Sequence, residues 1–125
     1  MPTIVTTTST RAAKADLIIN QGSTLEHVVS VQNSNGTAFD LTGYTVALKA
    51  RPTVESSTVL IDLSTANGKI VVSGLAGQIT LNMTNAETSA LTWRTGYYDM
   101  EITNSGGKVT RLISGIVTVF PEVTR

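Results

Sequence analysis

The feature that most limits what this chain can fold into is its period-two alternation, broken every eight to twelve residues by turn chemistry. Gln78–Met83 reads Q-I-T-L-N-M, placing Ile79, Leu81 and Met83 on one face and Gln78, Thr80 and Asn82 on the other. Successive side chains of an extended strand point to opposite faces, so this pattern is a half-buried strand. Thr24–Val31 repeats it, with Leu25, His27, Val29 and Val31 set against Glu26, Val28 and Ser30. Tyr44–Arg51 does so again, with Tyr44, Val46, Leu48 and Ala50 opposite Thr45, Lys49 and Arg51. Further strands are expected at Ala15–Ile19, Thr58–Leu63, Ile70–Ser73, Tyr97–Thr103 and Lys108–Phe120, with a bulge at Gly115. The turns between them, such as "NSNG", "TANGK", "GLAG" and "NSGG", are built from residues that tolerate positive φ.

One segment departs from this rhythm. In "TNAETSAL" Thr84 precedes Glu87 by three residues, the capping-box spacing, which predicts a short helix. Seven to eight short strands and one such helix before the sixth main strand predict an all-β fold, an antiparallel β-sandwich. With 125 residues there is room for one core. The expected division is an N-terminal arm over 1–14, a sandwich over 15–120 and a tail over 121–125. The arm is rich in Thr and Ser, and is read either as disordered or as an extended segment that orders on a neighbouring subunit. Pro121 ends the last strand, so the "PEVTR" tail is expected to order only against a partner.

The search for chemistry returns little. His27 is the single histidine, and its place among Leu25, Val29 and Val31 predicts a packed imidazole rather than a general base. There is no cysteine, and the aspartates are dispersed without calcium-loop spacing, so no catalytic, cofactor or metal residue is assigned. The glycine turns lack the helix and lysine of a phosphate cradle. Nine basic and nine acidic residues cancel, so no global field draws the chain to nucleic acid or anionic lipid. No apolar run reaches the roughly 20 residues of a membrane helix. Glycan binding is compatible with the composition but has no motif. Charged residues make up 14%, against about a quarter in ordinary domains, which suits lasting contact with other proteins.

The stretch "LTWRTGYYDM" is similar to the corner leading into the sixth strand of immunoglobulin-like sandwiches. That resemblance places Tyr98 as a corner residue bonded to backbone and Met100 in the core position of a cysteine, with Trp93 and Tyr97 also structural.

Over residues 16–125 the cues "QGST", "DLTGYT", "GQIT", "WRTGYYDMEI" and the closing "PEVTR" follow one another. In that order they resemble the amino-terminal domain of phage baseplate upper proteins and related small tail proteins. The resemblance implies a virion structural protein made in the host cytoplasm, a tail or baseplate adaptor or attachment module. Its partners would be other phage structural proteins, with homo-oligomers formed by repeated contacts. A capsid decoration protein and a host-surface or carbohydrate-binding module are the alternatives. Candidate interface residues are Thr3, Ile4, Val5 and Arg11 in the arm, and Glu122 and Arg125 in the tail. Val59 and Ile61 join them, from a strand expected to lie at a sheet edge and add to a neighbour's sheet.

Overall fold

The structure is a computed structural model; it describes residues 12–125 and, for Thr3–Thr6, the strand path only. The expected alternation becomes two packed sheets. The smaller contains β1 (Thr3–Thr6), β4 (Leu25–Gln32), β8 (Gln78–Met83) and β7 (Ile70–Ser73), in that spatial order. The larger runs from β2 (Ala13–Lys14) through β10 (Val109–Phe120), β9 (Thr95–Thr103) and β5 (Thr45–Arg51) to β6 (Ile61–Ser64). β3 (Leu17–Asn20) also pairs with β10.

The apolar faces identified from alternation meet between the sheets. Ile79, Leu81, Val29 and Val31 of the smaller sheet pack opposite Leu48, Met100, Ile113 and Val117 of the larger, all nearly inaccessible. Burying such a side chain contributes about 1.5–3 kcal/mol. The helix α1 (Asn85–Ser89) forms where the capping box places it. The Thr84 hydroxyl accepts from the Glu87 amide at 3.2 Å, and the Glu87 carboxylate accepts from the Thr84 amide at 2.8 Å.

Three features differ from the sequence expectation. The ladders are antiparallel except at the N-terminal side, where β1 runs parallel to β4 and both β2 and β3 run parallel to β10. Alternation shows which face is buried but not which strand lies alongside, so these pairings leave no mark in the pattern. The bulge lies at Leu112, where the register of β10 against β9 shifts between Arg111 and Ile113. Leu112 and Ile113 are consequently both buried. Gly115 has another role: a Cβ there would overlap the carbonyl of Ala15, where the chain passes from β2 to β3. At that step the Ala15 amide donates to Ser114 O at 3.0 Å, and the Asp16 carboxylate accepts from the Ile116 amide at 3.1 Å.

Candidate functional site

Tyr98 occupies the core side of β9 and is 9% exposed. Its hydroxyl donates to the carbonyl of Ala15, across the sandwich edge in the N-terminal segment rather than a few residues upstream. Burial, with the nearby charge of Asp16, pushes its phenol up to about 12. Tyr98 therefore ties the β2–β3 step to β9, across the β10 strand that lies between them. Met100, two residues on, fills the core as expected.

The tail is tied to the same side. The Glu122 amide donates to Gln21 Oε1 at 2.9 Å, while Gln21 Nε2 donates to Leu91 O at 2.8 Å. The Glu122 carboxylate lies against Gly22 and leaves no space for a Cβ there. Arg125 turns back, its guanidinium donating to Glu122 O at 2.7 Å. The start of the tail thus orders on its own chain, which corrects the expectation that it needs a partner. A short tail beside polar loop groups can satisfy its backbone locally.

The remaining interface candidates disperse. Thr3, Ile4 and Val5 lie in β1, aligned with Val29, Ser30 and Val31 of β4 in the same chain. Arg11 lies outside the described residues. Val59 is 42% exposed in the approach to β6. Ile61 is 3% exposed, because the first residue of β6 faces the opposing sheet, so its side chain offers no surface contact. β6 is an edge strand, as expected. Two of its outward main-chain groups are already used, however, since the Asn67 amide donates to Asp62 O and accepts from the Ser64 amide, both at 3.0 Å.

What the structure gathers instead is the outer face of the larger sheet, over β5, β9 and β10. A shallow cleft of about 670 Å³ there is bordered by Lys49, Arg51, Val54, Tyr97, Arg111 and Ile116. Tyr97, 44% exposed, lies between Arg51 on β5 and Ile116 on β10. Asp99 faces Lys49 across the ladder and pairs with Arg111 at 3.3 Å. Both members of that pair are well solvated, so it contributes less than about 1 kcal/mol. Tyr97 thus stands on the surface rather than in the core with Tyr98. The alternation of Tyr97, Asp99 and Glu101 against Tyr98, Met100 and Ile102 signalled this in the sequence. The phase of Arg111 did not show there, because the Leu112 bulge sets it.

His27 is half-buried beside a void of about 10 Å³ between the sheets, and burial holds its imidazole below the ordinary histidine value. Among the described residues no three His, Cys, Asp or Glu side chains come together to hold a metal ion. No helix among them is long and apolar enough to cross a membrane.

These features define a class, an all-β two-sheet sandwich with one short helix. In particular, the fold is similar to the N-terminal domain of phage TP901-1 ORF48, with a TM-score of 0.53 and 10% sequence identity. The match covers 94% of this chain and 97% of that domain. No protein-family model and no curated protein matches the sequence. Since 171 solved chains share similarity of this kind, the fold by itself does not fix a function.

Proposed function

We propose that the chain is a bacteriophage virion structural protein, an immunoglobulin-like adaptor or attachment module of the tail or baseplate. The observation that carries this reading is the near end-to-end match to a domain of a phage protein. The ordered cues from "QGST" to "PEVTR" span the same length and favour the same group.

The outer face of the larger sheet suits such a role. Tyr and Arg are enriched at protein interfaces, where they act as anchors within a surrounding rim. Here Tyr97, Arg51 and Arg111 stand together with apolar Val54 and Ile116. The partners would be other phage structural proteins. A contact of this modest size holds when copied by symmetry, because each further contact becomes intramolecular.

Gold-labelled antibody on intact particles, viewed by electron microscopy, tests the assignment. Label is expected at the tail tip. Label spread over the head would replace the tail reading with a decoration role, and particles without label would remove the virion assignment altogether.

A further inference from the structure

The margin of the smaller sheet carries an inference independent of any virion role. The Asn82 amide donates to Lys69 O at 2.8 Å, just before β7 begins. In an antiparallel ladder, successive residues alternate between bonding the neighbour and facing away from it. Val71 and Ser73 therefore bond Thr80 and Gln78 of β8, while the amides and carbonyls of Ile70 and Val72 face the outer side of β7. Among the described residues no strand occupies that side.

Edge strands are normally guarded by charge, proline, a bulge or a covering segment. β6 has its Asn67 plug and carries Asp62. β7 itself carries no charge, proline or bulge, and residues 70–86 contain no Asp, Glu, Lys or Arg. Lys69 precedes it, and just past its end the Leu41 amide covers Gly74 O at 2.8 Å, so the open groups are those of Ile70 and Val72. Beside it runs a shallow groove of about 580 Å³, bordered by Leu41, Tyr44, Val72, Leu75 and Ala76, again without a charged side chain. Val71 is 53% exposed on the strand and Leu75 is 82% exposed just beyond it.

We infer that β7 is a self-association edge, and that its occupant is β7 of a second copy of this chain laid antiparallel across a two-fold axis. Centring the pair on Val71 sets Ile70 of each copy opposite Val72 of the other. The main-chain groups that face outward then bond one another, and the two Val71 side chains meet on the outer face. A second β7 brings no charged side chain against this uncharged length. The zero net charge of the chain adds no long-range repulsion between copies. A two-fold contact is self-complementary by construction and closes at the dimer, joining two four-stranded sheets into one. The contact is small, so the dimer forms at high protein concentration.

Sedimentation equilibrium of the purified full chain, up to about 1 mM, tests this. Wild type is expected to form dimers, with amide exchange at Ile70 and Val72 slowing as concentration rises. Val71→Lys should raise the dimer dissociation constant about tenfold or more, since it sets two like charges directly opposite each other. Val59→Lys, on the approach to β6, should leave the dimer unchanged. A wild-type chain that stays monomeric throughout would overturn the inference. So would a Val71→Lys chain that dimerises like wild type, or concentration-dependent protection that spares Ile70 and Val72.

Discussion

At the margin of the larger sheet, two outward groups of β6, Asp62 O and the Ser64 amide, are taken by the side chain of Asn67; at the margin of the smaller sheet, those of Ile70 and Val72 in β7 meet no such side chain among the described residues. Both strands are four residues long, and both present alternating buried faces to the core. The far flank of the larger sheet ends in β2 and β3, laid along β10 and held through the Tyr98 hydroxyl. Asn67 caps part of one edge, whereas the outward groups of Ile70 and Val72 leave the smaller sheet able to grow. Position at a sheet edge is therefore a poor guide to association; what decides is whether side chains already satisfy the outward main chain.

The strongest way to break this contrast is to release the flank held by Tyr98. Tyr98→Ala removes a buried ring and its bond to Ala15, and should cost about 3–5 kcal/mol in chemical denaturation. An unchanged midpoint would mean that this tie contributes nothing. Gly115→Ala forces β10 away from Ala15 and should cost about 1–3 kcal/mol. Its signature should be local, with faster amide exchange in β3 and none of that change in the β7–β8 ladder; equal change in both sheets would show that the flank is not a separate unit.

Asn67→Ala sharpens the comparison directly. Losing its exposed bonds to Asp62 and Ser64 should cost about 1 kcal/mol, and the variant should associate through β6 as well as β7. If association is no greater than in wild type, the plug is not what protects that edge. The smallest effect is with pH. Tyr98 has its pKa raised from 10 to about 12 in the fold, so its contribution is complete below pH 10 and declines as pH rises through 12. An absorbance titration of the three tyrosines should show one ionising late, and that late component should vanish in Tyr98→Phe.

The sequence exposes much of this to physical reading. The period-two pattern located β7 and β8 at their observed limits and the other main strands within a few residues, and Thr84 with Glu87 marked the helix. Faces were legible because burial repeats with the pleat. Neighbours were not, because Ala13 and Lys14 look the same beside β10 as they would in a free arm. Ile61 was named for an edge strand able to add to a neighbour's sheet; the edge position holds, but the strand still turns that side chain to the core. Asn67 read as a turn residue, and only the path of β6 shows its amide reaching back to the strand. The cleft around Tyr97 depends on strand order and on the Leu112 bulge, neither of which alternation encodes.

The parallel pairing of β3 with β10 has a mechanical consequence. The chain enters this pair near Ala12 and leaves it at Pro121, at opposite ends of strands that run in the same direction, with Leu17 beside Val117 and Asn20 beside Phe120. Tension between those two points loads the inter-strand bonds in shear, all at once, instead of peeling them one after another. Resistance to pulling is set by the unfolding rate under load rather than by equilibrium stability. A domain joined in this way can transmit force along its length while its sandwich stays closed.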